Sequence, residues 1–159
     1  MPHHHYATTL TWSDARGTRD YRGYDRGHVV ESPGRPALPG SADRAFRGDA
    51  GRWNPELLLL AALSECHLLS YLSSCAHAGV VVTAYADDAR GTMAQDGEGG
   101  HFTEVVLAPR VTVADASMAE AALALHAEAH ANCFIASSVN FPVRHEARVE
   151  VVPAAAVLR

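Results

Sequence analysis

The sequence predicts an α+β fold, with helices packed against antiparallel sheet in a single domain over residues 1–159. Three observations carry that expectation: a leucine-rich helix with a clear start at Asn54, an alanine-rich helical segment after Ser117, and alternating or β-branched segments around both. At 159 residues and 48% apolar content, the chain has the size of one ordinary core.

Tyr6 to Trp12 alternates as a strand does, and Asp20 to Glu31 is its expected hairpin partner, with Gly17 helping the turn. Ser32 to Trp53 has four glycines and three prolines among charged residues without periodicity, and reads as a long loop of the kind that usually carries function. Asn54, Pro55 and Glu56 then give an N-cap, a first helical residue that needs no N–H, and a carboxylate facing the positive end of the dipole. This helix should run to about Ala78 and stop at Gly79. Its apolar residues fall on every side, which predicts a central helix surrounded by protein.

Val80 to Ala86 reads as a strand, "DARGTMAQDGEGG" as a turn or loop, and Phe102 to Val113 as one long strand or a pair. Ser117 and Glu120 have capping-box spacing and open a second helix to about Ala131. A short third helix is expected after Cys133, and His145 to Val152 closes the order as a strand.

The net charge of −5 and the absence of any basic run argue against a nucleic-acid partner. Every base is an arginine, and eight of the 13 lie between residues 16 and 52, first of all a solvated face and second a supply of guanidinium groups. The amino end lacks the pattern of a signal peptide, and the apolar run Leu57 to Leu63 is well short of the ~20 residues of a membrane span, so a cytoplasmic protein with no membrane partner is expected. Three cysteines in a reducing compartment are not a disulfide framework.

Cys66 and Cys75 are nine residues apart, on opposite faces of one helix and roughly 13 Å apart along its axis, so they do not pair with each other. A partner for Cys66 must come from elsewhere, and Cys133 is the candidate. The plain alternative is that all three are small buried hydrophobes, the preferred reading for Cys75.

A helix opening "NPE", a cysteine ten residues after that glutamate, and a second cysteine some 65 residues later beyond another helix resemble the OsmC/Ohr family of organic hydroperoxide resistance and osmotically inducible proteins. The resemblance spans nearly the whole chain and implies a thiol-dependent peroxidase, built as an intertwined α+β homodimer with antiparallel sheets around a long central helix. It implies that Cys66 is the peroxidatic cysteine, Cys133 the resolving one, and Glu56 the partner of a catalytic arginine. Within "YRGYDRGH", that arginine is Arg26 first and Arg22 second. Organic hydroperoxides are the implied substrates and a dihydrolipoyl thiol the implied reductant, with no cofactor or metal. Cys133 is followed here by Phe134 and Ile135, where the Ohr branch has proline and an aromatic residue, which points to an OsmC-like branch of the family.

The chemistry suits those residue types. A thiolate attacks a peroxide bond, and a free thiol with a pKa near ~8.5 needs a nearby cation to ionise at neutral pH. A carboxylate would orient the arginine's fork, and a second thiol would capture the sulfenic acid before further oxidation. On a straight helix Glu56 would lie about 15 Å from Cys66, so either the helix bends or glutamate and arginine come from a second subunit.

Two other functions compete. His126, His130 and Cys133 have plausible zinc-ligand spacing with Cys66 as a fourth ligand, although a histidine pair on such a helix is more often a polar edge or a hydrogen-bonded core pair. A non-enzymatic binding protein would use an apolar pocket lined by Phe102, Phe134 and Phe141. His67 could tune the thiol, but a solvent or backbone hydrogen bond is the plainer expectation.

Overall fold

The computed structural model describes residues 1–151, and the chain divides into two compact units, Met1–Leu59 and Leu60–Arg159. Val152, the expected end of the last strand, lies outside the described residues.

The N-terminal unit holds a three-stranded antiparallel sheet in the order β1 (Thr9–Thr11), β2 (His28–Glu31), β3 (Leu38–Gly40). The two expected strands are shorter than predicted because turns claim the chain between them. The Asp14 carboxylate accepts from the backbone N–H groups of Arg16 and Asp25, each at 2.8 Å, which uses backbone donors that a longer hairpin would have needed. The expected loop at 32–53 is partly regular. It contains β3 and a single 3₁₀ turn, Arg44–Phe46, whose N-cap Asp43 accepts from the Ala45 N–H at 2.7 Å. Pro39 fits in β3 because that strand is at the sheet edge, where one side needs no donor.

The first long helix, α1 (Pro55–His77), starts and stops as its sequence predicts. Asn54 Oδ1 accepts from the Leu57 N–H at 2.8 Å. At the far end, Gly79 takes φ of 72°, its N–H reaches the Ala76 carbonyl, and the Val80 N–H reaches the Cys75 carbonyl at 2.9 Å. This double closure is the Schellman arrangement, which requires a left-handed residue and so favours glycine.

In the C-terminal unit, α1 buries one stripe and not its whole circumference. Leu63, His67, Tyr71, Ser74 and Cys75 recur at helical spacing and are buried, whereas Leu69 is 67% exposed. By length and composition the helix is apolar enough to cross a bilayer, contrary to the expectation from its leucine run alone. Its inward stripe instead carries a histidine, a tyrosine and a serine, each with a protein partner.

Six strands follow: β4 (Val82–Asp87), β5 (Arg90–Asp96), β6 (Gly99–Leu107), β7 (Pro109–Val113), β8 (Val143–His145) and β9 (Arg148–Val151) form two three-stranded sheets, β4-β7-β9 and β5-β6-β8, after the first unit's three. Both are mixed, since β6 pairs with β8 and β7 with β9 in parallel. The expected 145–152 strand is therefore two short ones, one for each sheet. The glycine-rich stretch read as a loop is a β5–β6 hairpin turning at Gly97 (φ 60°) and Glu98. Glycine first in a two-residue turn, with a positive φ there alone, fits type II′.

The 102–113 segment breaks at Ala108 into two strands of different sheets. Asp87 sits at that break: one carboxylate oxygen accepts from the Ala108 N–H at 2.7 Å and the other from the Ser64 hydroxyl on α1.

The second helix, α2 (Ala119–Ala131), begins later than expected, because the preceding 3₁₀ turn Ala116–Met118 is capped by Asp115 and not by Ser117. The expected third helix is only a 3₁₀ turn, Ala136–Ser138. Tyr71, Cys75, Val80, Val111, Val113, Ala122 and Ala129 form the core that joins α1, α2 and the β4-β7-β9 sheet. Burial of each valine there contributes about 1.5–3 kcal/mol.

Candidate functional site

Cys66 lies in the middle of α1, half-buried, while Cys133 follows the end of α2 and is buried. The α1/α2 packing makes the two thiols neighbours, near enough for Cys66 to perturb the ionisation of Cys133. Both are free thiols. Burial, and then the neighbouring Cys66, push the Cys133 thiol up to about 11, against a weaker opposing hydrogen bond from the Ala136 N–H to its sulfur at 3.4 Å. Cys133 is therefore protonated at neutral pH. Cys75 belongs to the hydrophobic core beside Tyr71, and burial raises its pKa too.

Arg26 and Glu56 both belong to the N-terminal unit and line one cavity of about 370 Å³. Leu10, Trp12, Tyr24 and Phe46 give that cavity mostly apolar walls. The Arg26 guanidinium donates to the backbone carbonyls of Tyr21 and Tyr24 and lies 3.7 Å from the centre of the Tyr24 ring. Cation–π contact of this kind holds a guanidinium flat against an aromatic face. Glu56, in the first turn of α1, has a buried Oε2 without a partner among the described residues. The expected Arg26–Glu56 ion pair is not among the salt bridges of the described residues, although both side chains face the same space. Arg22, the second choice, is exposed and does not line the cavity.

The histidines fall into an arrangement that spacing did not predict. His67 and His126 are both buried, and His67 Nε2 lies 3.0 Å from His126 Nδ1. Their planes are within 5° of parallel and their centroids are 5.3 Å apart, which is what two rings meeting edge to edge across such a bond require. Tyr71 stacks face to face on His126 at 3.9 Å, and its hydroxyl donates to the Ala122 carbonyl. His145 approaches both rings, at 5.6 and 5.8 Å, and His130 lies 5.9 Å from His145. His67 Nδ1 and His126 Nε2 have no hydrogen-bond partner among the described residues. Whichever nitrogen carries the shared proton, one outer N–H and one outer lone pair stay unsatisfied, each at a cost of about 1–3 kcal/mol. Burial first, then neighbouring histidines, lower the pKa of His67 to about 4 and of His126 to about 3, so both are neutral at pH 7.

His67 thus bonds to another side chain, not to solvent or backbone. Among the described residues no group of three or more His, Cys, Asp or Glu side chains converges as metal ligands do, and His126 Nδ1 is taken up by His67. The aromatic-pocket alternative loses a wall, since Phe102 and Phe141 pack at 5.4 Å but Phe134 is 77% exposed. Sequence reasoning singled out His67, His126 and His130 but missed His145 and Tyr71. Only the i, i+4 spacings 67/71 and 126/130 hinted that two helical faces would meet.

Comparison with known proteins places the chain in a family. The family model described as OsmC-like protein matches residues 48–148, a span that holds Glu56, Cys66 and Cys133 but begins after Arg26. The chain belongs to the OsmC-like protein family. An OsmC-like protein of unknown function from Vibrio cholerae is 30% identical, with a TM-score of 0.80 over 94% of this chain and 100% of that one. Organic hydroperoxide resistance proteins from Elizabethkingia anophelis and Legionella pneumophila share the fold at 17% and 20% identity. Their TM-scores are 0.67 and 0.63, over 95% and 92% of this chain and 99% and 98% of theirs. Among curated proteins no match is found.

Proposed function

We propose that the protein is a thiol-dependent peroxidase that reduces organic hydroperoxides. The observation that carries this reading is the proximity of a half-buried Cys66 to a buried, protonated Cys133 in a member of a family whose fold is shared by organic hydroperoxide resistance proteins. Cys66, as thiolate, attacks one oxygen of ROOH. The O–O bond breaks, the alcohol leaves after taking a proton, and Cys66 becomes a sulfenic acid. The Cys133 thiol then displaces water to form the disulfide, and an external dithiol, of which a dihydrolipoyl group is the expected kind, returns both thiols. The raised pKa of Cys133 suits a resolving role, because a protonated thiol does not compete for peroxide.

On this reading Arg26 supplies the positive charge that ionises Cys66 and Glu56 orients it, in a homodimer within the cytoplasm. The exposed Leu69, Leu72 and Leu123 support association with a second copy. The test is peroxide consumption by the dithiothreitol-reduced protein, with cumene hydroperoxide compared against hydrogen peroxide. Native protein should prefer the organic substrate, Cys66→Ser should lose turnover, and Cys133→Ser should stop after one equivalent. Equal inertness of native protein and Cys66→Ser overturns the reading and leaves a ligand-binding role for the apolar cavity around Arg26 and Glu56.

A further inference from the structure

We propose that the coplanar His67–His126 pair is the positioning element of the thiol pair, fixing the register of α1 against α2 so that Cys66 and Cys133 stay within disulfide reach. This rests on reading the two cysteines as a redox pair. His67 follows Cys66 directly on α1. His126 stands one turn before His130, whose carbonyl accepts the Cys133 N–H at 3.2 Å, so any slip of α2 along α1 carries Cys133 with it.

A seam of leucine and alanine tolerates such slips, because apolar contacts are non-directional. An in-line hydrogen bond between two rigid rings does not. Buried polar pairs are known to specify register even where they add little stability, and two unsatisfied outer nitrogens make this pair a poor choice for stability alone. Disulfide formation is sensitive to such placement, since it needs a narrow range of Cα separation and direction.

The seam has two other polar ties, the Tyr71 hydroxyl to the Ala122 carbonyl and the Ser74 hydroxyl to Glu128, each at 2.9 Å. Both lie further along α1 from Cys66 than His67 does. On α2, Ala122 lies further from Cys133 than His126 does and Glu128 lies nearer, but both ties rest on a single rotatable hydroxyl, whereas the histidine pair joins two rigid rings directly beside Cys66.

The experiment needs no peroxide. Full-length protein is equilibrated with oxidised and reduced glutathione near neutral pH and alkylated, and the Cys66–Cys133 disulfide is quantified by peptide mass mapping. In this exchange the two protein thiols become a disulfide as one oxidised glutathione becomes two thiols, so atoms and electrons balance. The readout is the equilibrium constant for that exchange.

His67→Leu and His126→Leu should lower it about tenfold or more, because misplaced reacting groups lose effective concentration. His67→Gln, whose terminal amide can donate or accept where Nε2 stands, should stay near the parent value. His67→Asn, with the same chemistry on a shorter arm, should fall with the leucine variants, and the Gln/Asn comparison decides the matter if those variants do not fold. Tyr71→Phe, which removes a different tie across the seam, should leave the constant near the parent's.

The proposal is overturned if folded leucine or asparagine variants keep the parent constant, if His67→Gln falls as far as they do, if Tyr71→Phe falls equally, or if the parent forms no such disulfide. Parent protein that forms the disulfide and shows the variant pattern, yet consumes no hydroperoxide, would overturn the peroxidase reading alone.

Discussion

Arg26 and Glu56 face one cavity without bonding to each other: the guanidinium is held by the carbonyls of Tyr21 and Tyr24 and the Tyr24 ring, and Glu56 Oε2 has no partner among the described residues. On the peroxidase reading, Arg26→Ala should leave the protein folded but lower peroxide reduction by about 10² or more, the scale of one lost electrostatic stabiliser. Glu56→Ala should cost less, because the arginine remains. Arg22→Ala, altering an exposed side chain outside the cavity, should keep the parent rate. Stopped-flow oxidation and the Cys66 thiol pKa check all three, and wild-type behaviour of both Arg26→Ala and Glu56→Ala would remove these residues from the mechanism. If the site is assembled from two subunits, mixing Cys66→Ser with Arg26→Ala chains should restore activity.

The proximity of the two cysteines leads to a mapping experiment. Stoichiometric cumene hydroperoxide should join Cys66 to Cys133 within one chain and leave Cys75 as a thiol, modified by an alkylating agent only after denaturation because it sits in the core. A Cys66–Cys75 bridge, or two free thiols after oxidation, would contradict the assignment.

The buried histidines make stability depend on pH with a definite sign. Folded values of about 4 for His67 and about 3 for His126 lie below the ordinary 6.5, so the unfolded chain takes up protons that the folded chain refuses. Their contribution is complete above pH 6.5 and is lost as the pH falls towards 4, with a slope of up to about 1.4 kcal/mol per pH unit for each histidine. Urea midpoints should drop between pH 7 and pH 4.5, and His67→Gln, with one fewer titrating ring, should show a smaller drop.

Asp87 is a structural hinge pin between β4, α1 and the Ala108 break. Asp87→Ala should destabilise the protein by about 1–3 kcal/mol by leaving the Ala108 N–H without its acceptor. Asp87→Asn keeps one acceptor for that N–H and should cost less. Equal thermal midpoints for Asp87→Ala and native protein would show that this acceptor is dispensable.

What could be read in the sequence followed the range of the interactions. The start and end of α1 were legible because Asn54, Pro55 and Gly79 act on groups within five residues of themselves. The β5–β6 hairpin was not, because every residue of β5 is exposed and so shows no alternation, and glycine is as much a turn signal as a loop signal. The split of 102–113 between two sheets depends on Asp87, some 20 residues away, and the parallel pairings of β8 and β9 on strands still more distant. Cys66 and Cys133 stood out in the sequence as chemically apt residues, and the α1/α2 packing makes them neighbours. The His67–His126 bond, spanning 59 residues, was not, since a histidine on a helix carries no mark of which imidazole it will meet.

The placement of Trp12 in the wall of the cavity makes that space optically addressable. Trp12 and Trp53 are the chain's two tryptophans, and both lie in the N-terminal unit, whereas Tyr71 and Tyr85 lie in the other. Selective indole emission therefore watches one unit alone. A molecule entering beside Arg26 and Glu56 would change the emission of the native protein and leave that of a Trp12→Phe variant steady, giving a direct titration of occupancy that needs neither turnover nor a label.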